Sequence, residues 1–251
     1  MAHHYLLKSV LLSAGLLTTA VAQAQQPAKA GSTTAELKRD IARLYNGTEG
    51  ESDAFDKLVA TMGRRLVTYL KTHELTAAGA KALGLDYTES KGADHLKVFT
   101  YSYASGGTRG TVDQPVLQWQ NTTGKRFAYA CHEECDFEKI YKLASPGRTL
   151  YLLLGQEKGD TRCLTSQAYV VELKGDYLLL APAFGPSSLL RLCNVEMDFD
   201  AATQVLHLDL SDNEVPEYND DDLAKVGYHR KPNAKRLDLT FSNGRFVKTQ
   251  P

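Results

Sequence analysis

Two cysteines, a histidine and two glutamates stand within five residues at Cys131-His132-Glu133-Glu134-Cys135. A tetrahedral zinc ion prefers thiolate and imidazole ligands, so Cys131, His132 and Cys135, completed by either glutamate, form a candidate zinc set. Structural zinc sites usually draw two ligand pairs from separate segments, and a five-residue loop would have to fold back sharply to converge all four groups. The spacing also has one residue more than the Cys-x-x-Cys of a redox-active pair.

A second group of chemically capable residues is acidic. Asp212, Glu214, Glu217, Asp220, Asp221 and Asp222 could offer oxygen ligands to calcium, although the register of an EF-hand loop is absent. Asn219 followed by three aspartates equally suits the N-cap and first turn of a short helix, where carboxylates meet the positive end of the dipole. The glycine-rich stretch 103–115, with Arg109 at its tip, precedes a strand and not a helix. It therefore reads as a loop that could line a site, not as a phosphate cradle.

Aromatic residues supply a third possibility. Phe99, Tyr101 and Tyr103 share one face of a strand, and Leu117 and Trp119 share one face of the next. Tyr101, Tyr103 and Trp119 could form a platform that stacks against sugar rings, or could pack into the core against helices. For catalysis the sequence offers no Gly-x-Ser-x-Gly elbow, and His132-Glu133 lacks the second histidine of a zinc protease helix. His207 and Asp209 lie two apart on the polar face of a strand, while His73, His95 and His229 have no partner legible in the sequence. No residue receives a catalytic assignment, and no cofactor is expected.

The elements that would position these groups begin after an export signal. Lys8, an apolar run from Val10 to Ala22 and a small-x-small exit at Ala20-Val21-Ala22 read as a signal peptide over residues 1–22. The expected location is the periplasm or the medium. A lipoprotein is not expected, because the first cysteine is Cys131, far from the cleavage point. No later stretch approaches the roughly 18 apolar residues of a membrane helix. A formal net charge of −1 argues against nucleic acid or an anionic membrane as the main partner.

Residues 23–33 are small and polar and read as a flexible leader, with residues 34–251 as a single domain. Thr33-x-x-Glu36 predicts a capping box opening a helix through Leu44. From Asp53, the spacing of Phe55, Leu58, Val59, Met62, Leu66, Val67 and Leu70 predicts a second helix with a solvated basic face. A third helix is expected over Thr76 to Leu83, completing a helical part over 34–84.

Over 94–249 short Val-, Leu-, Tyr- and Phe-rich runs alternate with turn signals, as in an antiparallel meander. Strands are expected near 95–103, 115–120, 125–131, 137–143, 149–155, 166–174, 177–182, 189–199, 204–210, 226–230, 235–241 and 245–249. The continuous apolar runs at 150–154 and 177–184 imply strands covered on both faces. The expected fold is mainly β, of α+β class: a helical N-terminal segment packed on a large antiparallel meander that forms a sandwich or a partly open barrel.

Export also bears on the cysteines. Four cysteines in an oxidising compartment read most simply as two disulfides, expected as Cys131–Cys135 and Cys163–Cys193. Bridges from Cys131 and Cys135 to Cys163 and Cys193 stay open. The stretches "DHLKVFTYSYASGGTRG" (94–110) and "YLLLGQEKGDTRCLTSQAYVVEL" (151–173) resemble a family of uncharacterised exported bacterial proteins, in which a helical N-terminal part precedes a β-rich body. The resemblance implies the architecture and carries no known activity. The expected function is non-enzymatic binding of a small molecule, glycan or envelope protein through loops and edge strands. The alternative is an exported hydrolase whose carboxylates are brought together by the fold.

Overall fold

The computed structural model describes residues 32–47, 52–91, 96–106, 110–159, 162–211, 216–229 and 234–249. The expected signal peptide, most of the leader, and His95, Arg109, Asp212 and Glu214 lie outside them.

Three helices come first: α1 (Thr34–Asn46), α2 (Ser52–Thr72) and α3 (Ala77–Leu83). The capping box forms as its residues dictate. The Glu36 amide donates to Thr33 Oγ1 at 3.2 Å, and the Thr33 amide donates to Glu36 Oε2 at 2.8 Å. Leu37, Ile41 and Leu44 of α1 and Leu58, Met62, Leu66 and Leu70 of α2 are buried together, as their spacing requires. Arg65 pairs with Asp40 of α1 at 2.8 Å, while Lys57, Arg64 and Lys71 face solvent. The last carbonyls of α2 find partners on the sheet below: Gln118 Nε2 donates to Leu70 O at 2.6 Å and to His73 O at 2.9 Å.

Among the described residues thirteen strands follow, in three antiparallel sheets, none of them closed into a barrel. The first sheet runs β1 (Asp86–Glu89), β2 (Lys97–Gly106), β3 (Gly110–Gln120), β4 (Arg126–Ala130). The second runs β5 (Asp136–Leu143), β6 (Thr149–Lys158), β7 (Leu164–Lys174), β8 (Tyr177–Leu180), with β9 (Leu189–Cys193) also paired to β7. The third runs β10 (Glu196–Asp200), β11 (Val205–Asp209), β12 (Arg236–Ser242), β13 (Arg245–Lys248). A 3-10 turn at Pro216–Asn219 leads into α4 (Asp220–Lys225). The fold is thus α+β, with N-terminal helices packed against a β-rich body.

Three apolar clusters define the stacking. The helices bury one face of the first sheet through Phe99, Tyr101 and Val116. Its other face, with Val98, Leu117 and Trp119, meets Tyr151, Leu153 and Tyr169 of the second sheet. The second sheet's remaining face, with Leu150, Leu152 and Val170, meets Phe199, Leu206, Leu239 and Phe246 of the third. Helices and three sheets therefore form four layers, and β6 is apolar on both faces because both are covered.

Several expectations change. The strand expected over 189–199 is broken at Asn194, whose φ of 50° turns the chain from the second sheet into the third. Of the strand expected over 226–230, the described residues 226–229 form none. Val226 to His229 close α4, with the Gly227 amide bonded to Ala224 O and the Tyr228 amide to Leu223 O. The run 177–184 is not covered on both faces, since β8 is an edge strand whose Tyr177 is 70% exposed. The short polar strand β1, absent from the sequence reading, pairs with β2 from Asp86↔Thr100 to Glu89↔Lys97.

The aromatic platform is dismantled by register. Phe99 pairs with Val116 and Tyr101 with Gln114, so Trp119 falls on the opposite face from both tyrosines. Tyr101 packs under the helices and Trp119 between the first two sheets, each 4% exposed; Tyr103 is half-buried on the helix side.

Candidate functional site

The loop that opened the sequence reading points its groups in opposite directions. Cys131 directly follows β4 and Cys135 directly precedes β5, and both thiols are buried between the first and second sheets. His132 is exposed with its ring edge-on to Tyr129, and Glu133 accepts from Arg191 Nη2 at 3.0 Å. The candidate zinc set therefore does not converge. Among the described residues no three His, Cys, Asp or Glu side chains come together as a metal set.

The expected Cys131–Cys135 disulfide is corrected as well. Both cysteines are free thiols that act as apolar core side chains, and burial pushes both well above the ordinary thiol range. Space for Cys135 comes from Gly155 across the strand pair, where a Cβ would meet Cys135 Sγ and the Asp136 carbonyl oxygen. Cys163 and Cys193 are joined, Cα to Cα 5.3 Å, tying the start of β7 to the end of β9. The candidate calcium residues Asp220, Asp221 and Asp222 form the first turn of α4. Asn219 makes no side-chain cap there, because its amide is engaged with the Cys193 backbone.

An array of polar groups lies on the outer face of the third sheet. Alternation sends Met197, Phe199, Leu206, Leu208, Leu237 and Leu239 inward and their neighbours outward. Register then lines the outward residues into two rows across β10, β11 and β12. One row reads Asp198, His207, Asp238; the other reads Glu196, Asp209, Arg236. Glu196, Asp198, His207, Asp209 and Arg236, with Lys235 and Ser211, line an open cleft of about 630 Å³, and Asp238 stands behind His207 and Arg236.

His207 Nδ1 is 2.7 Å from Asp238 Oδ1 and 2.6 Å from Arg236 Nη2, while Arg236 Nε donates to the same Oδ1 at 2.7 Å. Nδ1 can donate to Asp238 or accept from Arg236, not both, so the tautomer decides which contact is a hydrogen bond. Partial burial alone would raise the Asp238 carboxyl; the bonds from His207 and Arg236 outweigh it and hold the group below the usual range. Lys139 of β5 donates to Asp198 at 3.2 Å, and Asp209 accepts from Ser211 N at 2.9 Å and Oγ at 2.7 Å.

An imidazole oriented by a carboxylate is the usual form of a general base. The hydroxyl among the cleft's lining residues, Ser211 Oγ, lies past the end of β11 and donates to Asp209 Oδ1 instead of to His207. The face sets donors (His207, Arg236, Lys235) among carboxylate acceptors on one sheet, groups that can hold a polar ligand in one orientation.

Sequence reasoning had joined His207 with Asp209; the sheet joins it with Asp238 and Asp198 instead. Those partners come from strands up to 40 residues apart, and their signal was the alternation of β12, which marks Asp238 as outward. His73 stacks on Tyr69 with ring centroids 4.0 Å apart, and His229 is exposed.

A second group went unseen in the sequence. Asp136, half-buried at the start of β5, sits near Asp86 of β1 and Asp113 of β3, at the border of the first and second sheets. Burial first, then the charges of Asp86, Asp113 and Glu138, push its carboxyl up to about 6, against a hydrogen bond from Thr100 that lowers it. Ser102 Oγ donates to Asp113 Oδ1 at 2.6 Å. Compared with protein-family models, with curated proteins and with solved structures, the chain matches none.

Proposed function

We propose that this chain is an exported, non-enzymatic binding module that holds a polar ligand, a glycan or a small hydroxylated molecule, on the outer face of its third sheet. The observation that carries the reading is the pair of side-chain rows around His207, in which His207 and Arg236 stand among four carboxylates on a sheet whose other face is packed into the core. Carboxylates accept from ligand hydroxyls and Arg236, Lys235 and His207 donate to ligand oxygens, so a polyhydroxylated ligand can satisfy both rows at once. The N-terminal export pattern and the resemblance to exported bacterial proteins support a site outside the cytoplasm.

Calorimetric titration with neutral and acidic oligosaccharides tests this. Binding that weakens at least tenfold in His207→Ala and in Asp198→Asn is expected; binding that both variants leave untouched, or none with any oligosaccharide, removes the cleft from the function. Export is tested separately: the chain recovered from a periplasmic fraction should begin at Gln23.

One observation favours the hydrolase reading. A carboxyl raised to about 6 beside two further carboxylates is the arrangement a general acid needs. Turnover of a polysaccharide or peptide that Asp136→Asn abolishes would favour it over binding alone.

A further inference from the structure

The two halves of one sheet edge are treated differently. Along β7, the outer neighbour is β9 over Thr165 to Tyr169 and β8 over Val171 to Lys174. The free edge of β9 is closed by the chain itself. The Cys193 amide donates to Asn219 Oδ1 at 2.7 Å, Asn219 Nδ2 donates to Cys193 O at 3.0 Å, and the Arg191 amide faces Asp222 Oδ1 at 3.4 Å. Asn219 is fully buried and takes the place of a missing strand.

Among the described residues the β8 half has no such cover. Among the described strands β8 pairs only with β7, and it carries Tyr177, Leu179 and Leu180 at 70%, 43% and 52% exposure. Unprotected apolar edges are templates for another strand, and most proteins blunt them with charge or proline. Here no charged residue lies between Tyr177 and Phe184, and the first proline is Pro182.

We infer that β8 is the contact through which a second copy of this chain adds its own β8, antiparallel, to make a continuous sheet across a two-fold axis. The backbone selects the register. Ala181 N donates to Val170 O at 3.1 Å, so Ala181, Leu179 and Tyr177 turn their amides toward β7, and Leu178 and Leu180 turn theirs outward. An axis through Leu179 sets Leu178 against Leu180 of the second copy and pairs every outward amide and carbonyl of both strands. Leu179 then meets its own counterpart, and Tyr177 reaches across the axis toward it.

The uncharged strand makes this self-complementary, since no like charges meet, and Pro182 ends the pairing beyond Ala181. Three exposed side chains fall well short of the roughly 20 residues a side of a standard interface, so the dimer is concentration-dependent and not obligate.

Sedimentation of the full exported chain over a wide concentration range should show a reversible monomer–dimer equilibrium. Leu179→Lys, which sets two charges face to face at the axis, should remain monomeric with unchanged circular dichroism. Leu179→Cys should form a covalent dimer on mild oxidation, because directly opposed, non-hydrogen-bonded residues stand about 4.5 Å apart at Cα, within disulfide reach. Leu178→Cys should link to Leu180→Cys and not to itself. A chain that stays monomeric at every concentration overturns the inference, as does Leu179→Lys dimerising like the parent. Failure of the Leu179→Cys cross-link overturns the register and with it the two-fold pairing.

Discussion

The second and third sheets are built from the same kind of antiparallel strand and differ in what covers them. In β6, Leu150 to Leu154 are all buried, because the first sheet lies on one side and the third on the other. In β11, Leu206 and Leu208 are buried, whereas His207 between them and Asp209 after them meet water. A layer closed on both faces has no place for unpaired polarity, which would be desolvated at high cost. The proposed ligand face accordingly lies at the end of the stack, where one face of the sheet joins the core and the other displays donors and acceptors.

Mutation should separate the two layers by size of effect. Leu152→Ala, at a fully buried position of β6, should lower the free energy of unfolding by about 4 kcal/mol in urea titration. Replacing both Cys163 and Cys193 by serine should cost roughly 3.6 kcal/mol, the loop-closure value for a separation of 30 residues. Asn219→Ala should cost about 2 kcal/mol, because it leaves the Cys193 amide and carbonyl unpaired in a buried position. A cost near zero would mean that water replaces the side chain and that the β9 edge is not closed in the way inferred.

Asp136 sharpens the contrast between inner and outer layers through pH. Its folded value of about 6 lies above the ordinary 3.8, so folding favours the protonated form. The cost of ionising it in the folded state sets in as pH rises from about 4 to about 6 and persists above that. Asp136→Asn should therefore leave stability at pH 4 nearly unchanged and raise it at pH 7, by about 1 kcal/mol after allowance for partial solvent screening. A melting-temperature difference independent of pH would sink this account. The smallest effect belongs to the third sheet's outer face: His207→Ala should change stability by no more than about 0.5 kcal/mol while weakening ligand binding.

Much of the fold was legible locally. The capping box at Thr33 and Glu36 and the apolar stripe of α2 are patterns within one turn or two, and both appear as read. The β meander showed itself through alternation and turns such as Asn243-Gly244, where both residues have positive φ. The misreadings share a cause. Trp119 and Tyr101 were each assigned a face correctly within their own strands, but the pairing of Phe99 with Val116 put those faces on opposite sides of the sheet. The apolar run from Tyr177 looked as buried as that of β6, since composition does not reveal which strand becomes an edge.

The candidate sites divide in the same way. His207 was visible as an outward residue, while its link to Asp238 and Arg236 depends on β12 pairing with β11 across an intervening helix. Asp86, Asp113 and Asp136 carry no common motif, and their approach depends on how two sheets stack. Cys131 and Cys135, the residues most suggestive of chemistry, become core side chains because strand parity turns both inward.

Helix positions, strand alternation and the α+β class follow from interactions between residues near in sequence, which is why residue order is enough to specify them. Which strand lies at an edge, which faces meet and which charges become neighbours follow from register and layer order. Those are set by contacts between segments tens of residues apart, whose free energies depend on the whole packed stack and leave no periodic trace along the chain.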